Sequence, residues 1–180
     1  EPDRWRRQRE HVGAMYVDLL VPRHCSADIQ AAAGTIEATE LDGKLALEIN
    51  AGRLIAERLG GQLEVFARSS DVDLRDFEGS DALLHIYSST LRVDGATADR
   101  IDIEAAASPL LFHNLDGTTR ITSHGGSVEL AGVRGRLRAS VFGGTLTASN
   151  LDGTTSDLTA SGGTIALRIP GSTEADILFR

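Results

Sequence analysis

The stretch SGGTIALRIPGSTEADI, Ser161–Ile177, is a loose copy of GAMYVDLLVPRHCSADI, Gly13–Ile29. Val21-Pro22 matches Ile169-Pro170, and Ala27-Asp28-Ile29 matches Ala175-Asp176-Ile177, at a constant offset of 148 residues. An offset that long within one 180-residue chain calls for a shorter period beneath it. The triplets Gly144-Thr145-Leu146 and Gly163-Thr164-Ile165, 19 residues apart, supply one. Steps of 18 or 19 residues from them reach an aliphatic residue every time: Val17, Ile36, Leu54, Val72, Leu91, Leu110, Val128, Leu146 and Ile165. The offset is eight such steps, so the chain is expected to hold nine rungs of a repeat.

Neighbouring columns keep the same step. Two residues after each series member stand Leu19, Ala38, Ala56, Leu74, Val93, Phe112, Leu130, Ala148 and Leu167. Five residues after, each rung again has an apolar residue or proline, from Pro22, Leu41 and Leu59 to Leu151 and Pro170. Seven after, small residues dominate, as at Gly43, Gly61, Gly79, Ala98, Gly117 and Gly135, with His24 the exception. The second half of each rung alternates apolar and polar residues, as in Leu45-Leu47-Ile49 and Leu137-Ala139-Val141. That is a strand with one face buried. Rungs around Thr119-Ile121-Ser123 and Ser156-Leu158-Ala160 carry the pattern more weakly. Leu-Asp-Gly at Leu41–Gly43, Leu115–Gly117 and Leu151–Gly153 suits a turn between the two strands. The 19-residue rungs carry one extra residue, at a turn or as a bulge.

The expected fold is all-β, a single-stranded parallel β-helix (β-solenoid) of about nine rungs of 18–19 residues with two short strands per rung. It is expected to be right-handed, the usual hand of parallel crossovers. Residues 1–15 read as an N-terminal linker or cap, with Trp5, Val12 and Met15 over the first rung, and residues 16–180 as the solenoid. Inward columns at 0, 2 and 5 and then near 9, 11 and 13 do not fit three equal hexapeptides. Gly125-Gly126, Gly143-Gly144 and Gly162-Gly163 lack the aspartate of the calcium-binding nonapeptide repeat.

Composition narrows the function classes. Aromatic residues are only 4%, so the core must be thin layers of Ile, Leu, Val and Ala. A net charge of −8 argues against a nucleic-acid partner. Arg4, Arg6, Arg7 and Arg9 around Trp5 read as a solvated linker, or as a segment beside a membrane anchor. No apolar run approaches the ~18 residues of a membrane-spanning helix. Cys25 is the only cysteine, so no intrachain disulfide can form. The chain starts at Glu1 and not Met, so it reads as a fragment or a processed form, which leaves room for a targeting segment upstream.

The recurring Gly-Gly-x-aliphatic rungs, and strands ending in Val21-Pro22 and Ile169-Pro170, resemble the bacterial adhesin family of β-solenoid domains and the related head domain of autotransporter adhesins. The resemblance covers about Tyr16 to Arg180. It implies a β-solenoid with no catalytic residues, in members attached to membrane anchors or small regulatory domains. An extracytoplasmic or membrane-associated setting follows from the resemblance, with a cytoplasmic one still open.

No catalytic, cofactor-binding or metal-binding residues are expected. Asp42, Asp116 and Asp152 share one column, but rungs apart, too far for a carboxylate pair acting on one glycosidic bond. His11, His24, His85, His113 and His124 fall in different columns, with His24 in a turn, His85 and His113 outward and His124 at a corner. Cys25 and His24 are adjacent on a strand, so their side chains point to opposite faces, and Cys25 is expected to be semi-buried. The glycine-rich corners lack a phosphate-binding Gly-x-x-x-x-Gly-Lys. The function expected is therefore a non-catalytic interaction module, adhesin-like or envelope-associated, with a protein or glycan partner. The alternatives are a solenoid that polymerises end to end, as bactofilins do, and a carbohydrate-active β-helix enzyme. The strand pattern of Ile177-Leu178-Phe179 at the end of the chain suggests a homodimer through the C-terminal rung.

Overall fold

The computed structural model describes residues 21–152 and 155–168, and their regular secondary structure is entirely β. The strands are β1 (Ala27–Ala31), β2 (Gly34–Thr39), β3 (Asp42–Asn50), β4 (Gly52–Glu57) and β5 (Gly60–Arg68). They continue as β6 (Asp71–Tyr87), β7 (Thr90–Ala106), β8 (Leu110–Asp152), β9 (Ser156–Ser161) and β10 (Thr164–Arg168). All pair in parallel in one sheet of order β1-β3-β5-β6-β7-β8-β10, with β2 and β4 joined to β6, and β9 to β8. The result is a β-solenoid of about seven turns. Half a turn follows at each end, since β1 lies under β3 and β10 lies on β8. Val17, the N-terminal segment 1–15 and the C-terminal rung from 169 onward lie outside the described residues.

The register is the one the apolar columns predict. Ile36 pairs with Leu54, Leu54 with Val72, Val72 with Leu91, Leu91 with Leu110, and Leu146 with Ile165. Identical inward positions therefore stack directly, and the core is a set of aliphatic columns running along the coil. Leu45, Ile49, Leu54, Ile86, Leu91, Phe112, Leu130 and Leu146 are all fully buried. Burying one such side chain contributes about 2 kcal/mol. The weaker rungs are weaker for a visible reason. Thr119 and Ser156 occupy the column otherwise held by Leu45, Leu63, Ala82, Ile101 and Leu137. The Thr119 hydroxyl is buried there with no hydrogen-bond partner.

Two left-handed residues per rung make the corners. Glu40, Arg58, Asp76, Asn114 and Asn150 have φ between 50° and 57°, and Gly95 and Gly132 complete the column. Ala51, Ser69, Ser88 and Ala107 form the second column, continued by Gly125, Gly143 and Gly162. Each breaks the two-residue alternation of a strand, turns its own side chain outward and lets the next inward residue start afresh. This is why the inward columns fall at 0, 2 and 5 and not at 0, 2 and 4. It also moves the expected turn. The corner lies one residue before Leu41 and Leu115, and Asp42-Gly43 and Leu115-Asp116-Gly117 pair within the ladder.

The first rung needs a second correction. Ala27 pairs with Leu45, and the amide of Asp42 bonds the carbonyl of Arg23. The step there is 18 residues, which sets Cys25, not His24, beneath Gly43. Arg23 and not Pro22 then lies beneath Leu41, and Pro22 is exposed. The Pro22 reading fails because the paired segment keeps a step of 18, not the 19 that relates Pro22 to Leu41. In two later rungs the extra residue is a bulge. The pairing shifts after Gly61 and again after Ala98, leaving Ser80 and Asp99 as the added residues at the same bend.

Candidate functional site

Serines line the second corner where it is most buried. The amide of Gly52 donates to Ser70 Oγ at 3.2 Å, that of Ser70 to Ser89 Oγ at 3.0 Å, and that of Ser89 to Ser108 Oγ at 3.2 Å. The hydroxyls donate in turn to the carbonyls of Arg68, Tyr87 and Ala106, at 2.6, 2.8 and 2.8 Å. This ladder satisfies backbone groups that the bend removes from the sheet, and it holds the rungs that carry the outer faces in place.

The aspartates and histidines do not converge. Asp42 forms an ion pair with His24 Nδ1 at 3.1 Å, on the surface. Asp116 lies four rungs along the same column, past Gly60, Glu78 and Thr97. It joins Glu78 and Asp99 around an open hollow of about 490 Å³ beside the bulge. Asp152 is exposed at the end of β8. His85 is half-buried and faces outward, His113 is exposed, and His124 lies one residue before the left-handed Gly125. Cys25 is partly buried and packs against the core, while His24 is exposed. His11 lies outside the described residues. Among the described residues no three His, Cys, Asp or Glu side chains gather as metal ligands.

The two outer faces differ in character. The first strands of the lower rungs present paired charges. Arg75 donates from Nε to Asp73 Oδ1 at 3.1 Å, and that hydrogen bond and charge raise the guanidinium above its ordinary pKa. Arg58 pairs with Glu40 at 3.1 Å and also with Glu57.

The second strand presents aromatic rings together with ion pairs of its own. In the lower rungs Phe66 lies 5.7 Å from the Tyr87 ring and 6.1 Å from His85, and the Arg68 guanidinium sits 4.7 Å over Phe66. His85 Nδ1 is 3.5 Å from Glu104. Two rungs higher, the outward positions read Arg120, Thr122 and His124, and then Arg138, Ser140 and Phe142. The His124 and Phe142 rings stack with centroids 4.9 Å apart and planes 11° from parallel. Arg138 donates to Asp157 Oδ2 from Nη2 at 2.9 Å and from Nε at 3.1 Å. Arg120 stands over Asp102, but Arg100 on the same rung as Asp102 already donates to that carboxylate from Nε at 2.8 Å. Among the described residues Arg120 has no ion-pair partner.

The sequence reading passed over this face. Its signal was present, because Arg120 and Arg138, Thr122 and Ser140, and His124 and Phe142 are each 18 residues apart, the step that stacks the core. Comparison with protein-family models, with curated proteins and with solved structures finds no match to this chain. No helix among the described residues is long and apolar enough to cross a membrane.

Proposed function

We propose that this solenoid is a non-catalytic, adhesin-like interaction module, associated with the cell surface or envelope, which presents the outer face of its second sheet to a partner. The observation that carries this reading is the contrast between the faces. Both carry ion pairs, but the aromatic contacts, Phe66 with Tyr87 and His124 with Phe142, all lie on the second sheet, on rigid, stacked strands. Aromatic and arginine side chains on a pre-formed surface are the groups that anchor binding.

The test applies labelled protein to immobilised neutral and acidic glycans and to washed bacterial envelopes. Retention is expected, with the glycans recovered at unchanged length. The double variant Thr122→Glu with Ser140→Glu should abolish it, whereas Glu129→Lys, outward on the other sheet, should not. Equal retention of both variants would remove the second sheet from the reading. Shortened or unsaturated glycan products would make the chain an enzyme.

A further inference from the structure

Within this reading, which the inference presupposes, we propose that the lower part of the second sheet binds an extended basic segment of a partner protein, one that carries an apolar residue between two cations. In one outward column Glu48 stands beneath Phe66, Phe66 beneath His85 and His85 beneath Glu104. In the next column Leu83 stands between Glu64 below it and Asp102 above it. Each column therefore places apolar or aromatic side chains between two carboxylates.

Most of these carboxylates lack a cation. Among the described residues Glu48 accepts from Asn50 at 3.5 Å, and neither Glu48 nor Glu64 forms an ion pair. Glu104 faces His85 Nδ1 at 3.5 Å, and Asp102 is bonded to Arg100. Arg68, on the same strand as Glu64, lies instead over the Phe66 ring, 4.7 Å from its centroid. Glu48 and Glu104 are three rungs apart, about 14 Å. In an extended chain, residues i and i+4 are also about 14 Å apart and face the same side, with i+2 midway. A segment laid across the rungs brings one cation to Glu48 and Glu64, the other to Glu104 and Asp102, and the apolar residue onto Leu83 and His85.

Two features select this partner. Phe66, Leu83, His85 and Tyr87 are all half-buried on two adjacent rungs, so the centre is a patch of four neighbouring side chains. An apolar and aromatic centre inside a charged rim is the anatomy of a protein interface. The rim is mainly acidic, and the whole chain carries a net charge of −8. That field draws in a cationic segment and opposes a second copy of the same chain. Arg68 on Phe66 shows in addition that the rings of this face accept a guanidinium.

The experiment is an amide-resolved NMR titration of the full chain with the end-capped peptide Arg-Ser-Leu-Ser-Arg. The peptides Glu-Ser-Leu-Ser-Glu and Arg-Ser-Ser-Ser-Arg and the neutral sugar maltohexaose are titrated in parallel, and the free protein is diluted alone. The first peptide should shift the amides of Glu48, Glu64, Leu83, His85 and Glu104, and its binding should weaken as salt is raised. Glu48→Gln combined with Glu104→Gln should weaken it about tenfold, and Leu83→Ser severalfold. Glu129→Gln, outward on the other sheet, should leave it unchanged. Glu48 is half-buried and Glu104 exposed, so thermal melting of the double variant should match the parent and exclude misfolding.

Equal binding of the acidic peptide, or of the double glutamine variant, would overturn the basic-segment assignment. Arg-Ser-Ser-Ser-Arg binding as tightly as the leucine peptide would reduce the site to bare charge attraction and overturn the part given to Leu83. Shifts of the same amides with maltohexaose or on dilution, and none with the basic peptide, would give the surface to a sugar or to a second copy and overturn the inference. No shift with any probe would end it, while envelope retention sensitive to the Thr122 and Ser140 substitutions would still support the broader reading.

Discussion

Two glycine-rich columns run the length of this coil, and they are glycine-rich for different reasons. In the bend column, Gly43 and Gly79 lack a left-handed φ, yet a Cβ at either would lie 2.3 Å from a carbonyl oxygen of the rung below. In the corner column, Gly143 and Gly162 have φ of 70° and 68°, and a Cβ there would meet nothing within 4 Å. The bend column fixes how closely rungs stack, and the corner column fixes only which way the chain turns. Alanine and serine hold the corner at Ala51, Ser69, Ser88 and Ala107. The bend admits Cys25 in the first rung, and Ala98 on a rung widened by the extra Asp99.

The coil's interior sets the upper end of the scale against which both columns can be measured. Leu130 is fully buried and Glu129, one residue away, is exposed. Leu130→Asp should cost about 5 kcal/mol or more, from the lost burial together with an unpaired buried charge. Glu129→Lys should change stability by less than about 0.5 kcal/mol. Urea unfolding followed by circular dichroism measures both, and similar losses would mean that the inward and outward faces of this strand are misassigned.

Gly117→Ala comes next. Its Cβ would lie 1.7 Å from the carbonyl oxygen of Ala98, at φ of 126°. The expected loss is about 4 kcal/mol, from overpacking and backbone strain together. A loss near 1 kcal/mol would erase the distinction between bend and corner.

Ser89→Ala probes the hydrogen bonds that support the corner. It would strand the Ser70 amide, which now bonds Ser89 Oγ at 3.0 Å in a buried setting. The expected loss is about 2 kcal/mol. Ser89→Thr, which keeps the hydroxyl, should recover part of it in the same denaturation assay.

These columns also mark what the sequence could and could not disclose. A period of 18 or 19 with an aliphatic residue at every step fixes the stacking, because only one register buries all of those side chains at once. The corners were harder to place. Leu41-Asp42-Gly43 has the residues of a turn, but the left-handed residue is Glu40, whose type gives no hint of it. The first rung misled because a step of 19 suits its residue types, while Ala27 pairs with Leu45 at a step of 18. The outer patch was legible in principle, because Arg120 and Arg138 obey the core's own spacing. Polar columns escape notice when only apolar ones are aligned, and the stacking of His124 on Phe142 depends on side-chain directions that no spacing states.

The smallest effects test the corner column from both sides. Gly143→Ala meets no atom, so its cost is the left-handed backbone of an alanine less the gain from a stiffer unfolded chain, a net loss of about 1 kcal/mol. Ala107→Gly is the reverse change at the equivalent corner, where φ is 52°. It should stabilise by about 0.5 kcal/mol, since relief of that strain slightly exceeds the added freedom of the unfolded chain. Opposite signs in two denaturation curves would show that φ alone governs this column. A loss in both would mean that the Ala107 methyl makes a contact that outweighs its strain, and the corner would then resemble the bend after all.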